Sequence, residues 1–283
     1  MRILVMGHRG MLGSDLIEIL GREHEVLGVD MAEFDITSAA DCVRILGEFR
    51  PGAVVNAVAY TDVDGCETNR EACFAVNAVG VRNVAEACRA AGAKAVHYST
   101  DYVFDGTKGE PYLEDDVCRP INVYGESKRK GEEALAETLE RHLLIRTAWL
   151  YGRGGKNFVK AILAKVKDEG TLRVVDDQVG SPTFTLDLAQ ATKLLLKLDC
   201  TGTYHVTNRG VCSWYEFARR ILEYAQVAVV TVVPIKSGEL NRKAARPAYS
   251  VLSNRKFMEA TKKAMRPWQV ALNDCLSQMR AKG

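Results

Sequence analysis

A glycine-rich turn near the N-terminus constrains the fold of this chain more than any other feature. Residues 7–13 follow the pattern G-x-x-G-x-x-G and lie between an apolar run, residues 3–6, and an amphipathic segment. Strand, glycine turn and helix in this order are typical of a doubly wound α/β domain that binds a dinucleotide. Gly7 would permit the tight turn, Gly10 would let a pyrophosphate approach the backbone, and Gly13 would let the helix pack closely on the strand. We therefore predict that the turn binds a cofactor through Gly7, Gly10, Met11, Leu12 and Gly13.

Short apolar runs alternate with amphipathic segments through the first half of the chain. The predicted strands, which helices separate, are residues 3–6, 25–29, 53–57, 95–99 and 143–146. One long helix is predicted at residues 71–91. Strands that are apolar on both faces indicate a parallel sheet covered by helices on both sides. The sequence thus predicts a doubly wound parallel (Rossmann) sheet in residues 1–150, and a smaller C-terminal substrate lobe in residues 151–283 that interleaves with the sheet.

Composition and charge argue against several classes of partner. The chain has 283 residues and a net charge of +2, so no strong field favours a nucleic acid or a membrane. It opens directly on a strand, without the apolar segment of a signal peptide, and it has no run long enough to span a bilayer. We expect a soluble cytoplasmic protein. The eight cysteines form no C-x-x-C pair and the histidines have no metal-ligand spacing, so we expect free thiols and no metal site.

Polar residues after the second and third strands are candidates for cofactor binding. Asp30 closes the second strand, where a carboxylate can accept hydrogen bonds from adenosine ribose hydroxyls. Its charge favours NADH, whereas Arg9 in the glycine turn could offset repulsion of a 2′-phosphate and admit NADPH. Asp35 and Ile36 follow at a loop position suited to the adenine. After the third strand, small residues let the backbone approach the cofactor at Ala59, Tyr60 and Thr61.

A tyrosine and a lysine four residues apart offer a proton-transfer group. Tyr124 and Lys128 would share one face of a helix. A nearby cation favours phenolate, so we expect Lys128 to bring the pKa of Tyr124 from about 10 towards neutrality. Tyr124 could then give a proton to a carbonyl or take one from an alcohol. The spacing alone also fits a solvated helix face, and the glycine turn is what strengthens the catalytic interpretation.

Several longer runs match one known family. The most specific is STDYVFDG at residues 99–106, and NVYGESK follows at residues 122–128. Further matching residues are 55–57, 60–64, 67, 97–98, 146–151, 177–183 and 246–247. With its glycine turn and these runs, the chain resembles the extended short-chain dehydrogenase/reductase family. The resemblance implies NAD(P)H-dependent reduction of a nucleotide-linked 4-keto-6-deoxysugar.

The resemblance also implies a role for each matching side chain. Thr100 would donate a hydrogen bond to the substrate ketone, Tyr124 would deliver the proton, and Lys128 would hold the nicotinamide ribose. Asn77 would support the lysine through a water. The remaining matches are expected at the cofactor (Tyr98) or at the sugar (Asp101 and Trp149). Structural alternatives are a capping hydroxyl for Thr100, a satisfied helix amide for Asn77 and a core aromatic for Trp149.

In the lobe, Arg246 is the candidate for the substrate diphosphate, because a guanidinium can grip phosphate oxygens in a fork. Some family members bridge a dimer through a metal held by glutamates. This chain has Asp15 and the run at residues 184–187 in those places, which puts the metal-linked dimer in doubt. We expect a monomer or a weak homodimer.

Two other functions compete with the reductase. The first is a reductase or an epimerase of another nucleotide-sugar; an epimerase, with tightly held NAD, would turn over without net oxidation of cofactor. A non-catalytic regulatory subunit of the methionine adenosyltransferase type is the third alternative. The presence of Thr100, Tyr124 and Lys128 argues against it, because a binding role needs no proton-transfer group.

Overall fold

Six parallel strands form the central sheet of the computed structural model, which describes residues 1–166, 170–227 and 230–281. In order across the sheet they are β2 (Glu25–Val29), β1 (Arg2–Met6), β3 (Ala53–Asn56), β4 (Lys94–Thr100), β5 (His142–Thr147) and β10 (Gly202–His205). Each neighbouring pair is parallel. The prediction of a doubly wound parallel α/β sheet is confirmed.

Helices cover both faces of the sheet. Successive residues of β1 therefore point into two different cores, and both sets are apolar. Ile3 and Val5 belong to one core, and Leu4 and Met6 belong to the core on the other side. The first core includes α1 (Met11–Leu20), α8 (Thr185–Lys197), α9 (Trp214–Ala225) and α11 (Trp268–Arg280). The second includes α2 (Ala39–Phe49), α5 (Gly80–Ala91) and α6 (Val123–Thr138).

The segment predicted as one helix at residues 71–91 is divided. It consists of α4 (Arg70–Phe74), a π-helical turn (Ala75–Val79) and α5. The wider turn breaks the regular helical spacing in the middle of the predicted helix. Such π-helical turns often lie at functional sites, and this one carries Asn77.

The second half of the chain interleaves with the first. The edge strand β10 lies beyond residue 150 and completes the sheet beside β5, while α8 packs against α1. The other elements are α3 (Val63–Thr68), a 3₁₀ turn (Asp101–Val103), β6 (Leu150–Tyr151), α7 (Phe158–Lys165), β7 (Thr171–Val175), β8 (Val179–Gly180), β9 (Thr183–Phe184), β11 (Cys212–Ser213), β12 (Thr231–Ile235), a 3₁₀ turn (Ser237–Glu239) and α10 (Arg255–Thr261). The division of the chain at residue 150 stays a prediction.

A buried ion pair ties α6 to β5. Arg146 donates to both carboxylate oxygens of Glu132 at 2.8 Å, and the two side chains are 3% and 1% exposed. The guanidinium also donates to the carbonyl oxygen of Glu114 at 3.1 Å. The pair therefore anchors the helix that carries Tyr124 to the strand next to β4.

No helix in the described part of the chain has both the length and the apolar character needed to cross a membrane.

Candidate active site

The carboxyl ends of three strands bring the predicted site residues to one edge of the sheet. The glycine turn follows β1, residues 57–61 follow β3, and Thr100 ends β4. Because β1 lies between β2 and β3, the strand order reverses beside the glycine turn. Open α/β sheets bind ligands in the crevice at such a reversal.

The glycine turn leaves the first helix end open to an anion. Gly7 has φ +79°, in the left-handed region that favours glycine. A Cβ on Gly13 would lie 2.0 Å from the Gly7 carbonyl oxygen, so a larger residue does not fit where α1 meets the turn. Gly10 is the N-cap of α1, and no side chain there accepts a hydrogen bond from the first amides of the helix. The first turn, which begins with Met11 and Leu12, has no acidic residue. Open amides at the positive end of a helix dipole fit a cofactor pyrophosphate.

The Asp30 carboxylate lies beside this turn. It accepts hydrogen bonds from the backbone amides of Arg9 at 3.0 Å and of Met31 at 2.9 Å. The Arg9 guanidinium pairs with Glu33 at 2.7 Å on the surface. Glu33 therefore partly neutralises the charge of Arg9.

Asp35 and Ile36, predicted near the adenine, are held by the segment before α2. Oδ1 of Asp35 accepts from the amide and the hydroxyl of Thr37, both at 2.8 Å. The Ile36 side chain is buried and packs against Gly80. Any contact of Ile36 with a cofactor is thus left to its backbone.

Asn77 joins the loop after β3 to α6. Its side chain accepts from the Tyr60 amide at 2.8 Å and donates to the Tyr60 carbonyl at 3.0 Å, which fixes the predicted cofactor loop Ala59, Tyr60 and Thr61. It also donates to the Ser127 hydroxyl at 3.0 Å, and this hydroxyl donates to the Tyr124 carbonyl at 2.7 Å. Asn77 is fully buried, so these contacts hold the loop and the first turn of α6 together.

The start of α6 is held from three sides. Asn122 caps the helix, because its Oδ1 accepts from the Gly125 amide at 2.7 Å. The Asn122 side-chain amide donates to the Ala245 carbonyl at 2.7 Å, and Glu67 accepts from the Val123 amide at 2.9 Å. The turn that carries Tyr124 is therefore preorganised by residues from two distant parts of the chain.

Thr100 and Asp101 lie next to the Tyr124 phenol. Burial raises the pKa of Tyr124, and the Thr100 hydroxyl, within hydrogen-bonding reach of the phenol, opposes the shift. The single hydrogen of this hydroxyl can serve either the phenol or Oδ1 of Asp101, which is 3.0 Å away. Burial raises the pKa of Asp101 to about 6, against the stabilising hydroxyls of Ser250 and Thr100. Thr100 thus connects the phenol to a buried carboxyl.

The Lys128 ammonium is directed towards β4. Its Nζ donates to the Tyr98 carbonyl oxygen at 2.7 Å and lies 3.2 Å from His97 Nε2. Burial lowers the pKa of Lys128 to about 8. The predicted lowering of the Tyr124 pKa by Lys128 is wrong for this arrangement, because the lysine binds β4 and burial dominates the phenol. Tyr98 offers the site its carbonyl, while its hydroxyl lies 2.7 Å from the Thr192 hydroxyl.

Trp149 has an unusual backbone and a stacked side chain. Its φ is +48°, which is strained for a residue other than glycine. Its indole stacks on Trp214 with ring centroids 3.6 Å apart and planes 7° apart. A Cβ on Gly180 would lie 2.5 Å from the Trp149 ring, so the stack depends on glycine at that position.

Replacing Gly180 by alanine is therefore expected to displace the Trp149 indole from Trp214. We expect loss of the exciton signal of the stacked pair in near-ultraviolet circular dichroism, and a decrease of about 1–3 kcal/mol in the free energy of unfolding. Gly47→Ala is the matched control, because a Cβ on Gly47 in α2 meets no atom within 4 Å. An unchanged exciton signal in Gly180→Ala would contradict the assignment.

Arg246 is held by a carboxylate from far along the chain. Its Nη2 donates to Oδ2 of Asp64 at 2.8 Å, and its Nη1 donates to Oδ1 of Asp64 at 3.2 Å. The hydrogen bonds from Arg246 hold the pKa of Asp64 down at about 2. The same segment lies near Tyr102: burial raises the pKa of that phenol, and the charges of Arg246 and Arg242 oppose the shift.

Residues 1–281 match the family model described as the RmlD substrate binding domain. The chain belongs to the RmlD family. This confirms the resemblance to extended short-chain dehydrogenases and reductases.

Relatives of this RmlD-family chain carry related names. The dTDP-4-dehydrorhamnose reductase of Streptomyces griseus is 41% identical over 280 residues, which cover 96% of this chain and 92% of the relative. The dTDP-4-keto-6-deoxy-D-glucose reductase of Streptomyces niveus is 37% identical, with 99% and 98% covered. Among solved structures, the dTDP-4-dehydrorhamnose reductase of Bacillus anthracis in complex with NADP has TM-score 0.95 and 38% identity, with 98% and 99% covered.

Asp15 and Asp187, which lie where the family resemblance suggested a bridging metal, pair with residues of the same chain. Asp15 pairs with Arg153 and accepts from the Thr185 hydroxyl at 2.5 Å. Asp187 pairs with Arg266 at 2.8 Å. Both carboxylates are therefore engaged within the protomer. The described residues contain no cluster of three or more metal-ligating side chains.

Sequence reasoning gave no role to three residues of the site. Ser127 and Asp64 lie inside matching runs, but their partners Asn77 and Arg246 are 50 and 182 residues away. His97 also lies inside a matching run, residues 97–106, but the run assigned it no partner. Beyond these runs, the opposite charges of Asp64 and Arg246 were the signal that the sequence offered for a pairing.

Proposed function

We propose that this protein is an NAD(P)H-dependent reductase of the 4-keto group of dTDP-4-dehydro-L-rhamnose, with dTDP-L-rhamnose as product. The observation that carries the proposal is that the Tyr124 phenol lies next to Thr100 at the end of β4, the strand to which Lys128 also binds, at the sheet edge that carries the glycine turn. Membership of the RmlD family and the names of its relatives support the substrate class.

The proposed reaction uses Tyr124 as the proton donor. The bound cofactor supplies a hydride to the carbonyl carbon of the sugar. As negative charge develops on the carbonyl oxygen, Tyr124 gives its proton and Thr100 donates a hydrogen bond to the same oxygen. Burial holds the pKa of Tyr124 above its usual value, so the phenol is protonated at neutral pH and has a proton to give.

Binding of the cofactor is assigned to the first two strands and α6. Gly7, Gly10 and Gly13 form the proposed pyrophosphate cradle, Asp30 is assigned to the adenosine ribose, and Lys128 to the nicotinamide ribose. The NADP complex of the Bacillus anthracis relative supports NADPH as a cofactor of this chain. Asp30 keeps NADH as the alternative.

The nucleotide-sugar is assigned to the lobe side of the cleft. Arg246 is the proposed diphosphate ligand, and its fork is oriented by Asp64. Asp101 and Trp149 are the proposed contacts of the sugar. The cytoplasmic location and the monomeric or weakly dimeric state remain predictions from the sequence.

Oxidation of NADPH and NADH by the purified protein tests the function. We expect one equivalent of cofactor to be oxidised per dTDP-4-keto-L-rhamnose, generated in place by a 3,5-epimerase. Omission of that epimerase leaves dTDP-4-keto-6-deoxy-D-glucose, the substrate in the name of the Streptomyces niveus relative. Faster oxidation of the cofactor without the epimerase would show that dTDP-4-keto-6-deoxy-D-glucose is the preferred substrate. Sugar conversion without oxidation would identify an epimerase, and no reaction with either sugar would favour the regulatory alternative.

A further inference from the structure

A buried histidine stands behind the proposed catalytic lysine. His97 lies on β4, is 1% exposed, and places Nε2 3.2 Å from Lys128 Nζ. The Tyr98 carbonyl accepts from the same Nζ at 2.7 Å. An ammonium has three hydrogens and no acceptor. Two of the three are therefore directed at fixed groups on one strand.

The ring can accept only if it is neutral and carries its proton on Nδ1. Burial, followed by the charge of Lys128, holds the pKa of His97 well below its usual value, so the ring is neutral. Nδ1 faces Asn56 on β3, whose backbone carbonyl favours a proton on the ring and whose side-chain amide nitrogen, itself a donor, lies 3.3 Å away. A proton on Nδ1 therefore faces one neutral donor, whereas a proton on Nε2 would face the charged ammonium of Lys128, which is the costlier conflict.

We propose that His97 is a positioning residue for Lys128: its Nε2 accepts one ammonium hydrogen, the Tyr98 carbonyl accepts a second, and the third is left for the nicotinamide ribose. The proposal rests on the proposed function, in which Lys128 holds that ribose. It gives a reason for an almost fully buried imidazole in the middle of β4.

A pH effect follows from this arrangement. The titratable groups that face Lys128 are His97 from β4, Cys73 from α4 and Glu132 from α6 itself. Burial lowers the pKa of Lys128 to about 8, and Glu132 and Cys73 oppose the shift. Ammonium is thus lost as pH rises through about 8. Without the His97 acceptor the ammonium form of Lys128 is less stable, so Lys128 loses its proton at a lower pH.

The dissociation constant of NADPH, measured against pH by nicotinamide fluorescence without any sugar, tests the proposal. We expect the affinity of the wild type to fall as pH rises through about 8. In His97→Leu the pH at which half of this affinity change has occurred should be lower by about one unit, since a hydrogen bond to a charged group is lost. His97→Gln, whose amide oxygen can accept in place of Nε2, should restore the midpoint of the wild type. A weakening in His97→Leu that is equal at every pH would overturn the proposal.

A second measurement needs no variant and no activity. Nitrogen-15 NMR of the histidine-labelled free protein should show His97 neutral, with its proton on Nδ1. A proton on Nε2, or a charged ring at neutral pH, would overturn the proposal even if every variant failed to fold. If the wild type binds no NADPH, the proposed function fails, and the NMR result still decides the role of His97.

Discussion

Phenylalanine at position 124 is expected to lower kcat for ketosugar reduction by about 10²–10⁴-fold, the usual contribution of a positioned proton donor. Tyr124→Phe removes the hydroxyl beside Thr100 but keeps the ring and its edge contact with Tyr102, whose centroid is 5.9 Å away. Affinity for NADPH should change little, because the proposed cofactor contacts belong to Lys128 and the glycine turn. Steady-state kinetics and fluorescence titration measure the two effects separately.

Tyr102→Phe provides the matched control for this substitution. It removes a hydroxyl from the neighbouring ring, which packs edge-on against Tyr124. We expect a much smaller loss of kcat than for Tyr124→Phe. Equal losses in the two variants, or full activity in Tyr124→Phe, would show that the reaction takes its proton from another group.

The largest loss of stability is expected from breaking the ion pair between Arg146 and Glu132. Arg146→Leu should lower the free energy of unfolding by about 3–5 kcal/mol, because it leaves a buried carboxylate without its main partner. Both side chains are almost fully buried, at 3% and 1% exposure. Arg129, 3.0 Å from the same carboxylate, is 35% exposed and compensates only in part. Urea denaturation followed by circular dichroism measures the loss.

Two further variants separate burial from charge pairing. The double variant Arg146→Leu with Glu132→Leu should recover part of the stability, since no unpaired charge remains. The exposed pair of Arg82 and Glu137, with N and O 3.1 Å apart at 47% and 65% exposure, is the matched control. Arg82→Leu should cost about 0–1 kcal/mol. If Arg146→Leu costs no more than Arg82→Leu, the anchoring role of the buried pair is wrong.

Local patterns predicted the fold well because they depend on neighbouring residues. The alternation of apolar strands and helices identified the parallel sheet, and the glycine turn indicated the edge at which the proposed ligand site lies. The one helix predicted at residues 71–91 contains a π-helical turn, which helix periodicity cannot reveal. The motif runs likewise predicted which family the chain belongs to.

The protonation states and the long-range contacts of the site were decided only by the tertiary structure. A spacing of four residues suggested that Lys128 acts on Tyr124, yet the folded chain turns the ammonium towards Tyr98 and His97. Burial depends on the whole fold, and it raises the pKa of the phenol and lowers that of the lysine.

The sequence alone therefore determined that a glycine turn is present and that Tyr124 and Lys128 lie four residues apart. What they can do depends on desolvation and on partners far along the chain. Asn77, 50 residues from Ser127, and Asp64, 182 residues from Arg246, show the reason: only the packed sheet and helices bring such side chains within hydrogen-bonding distance.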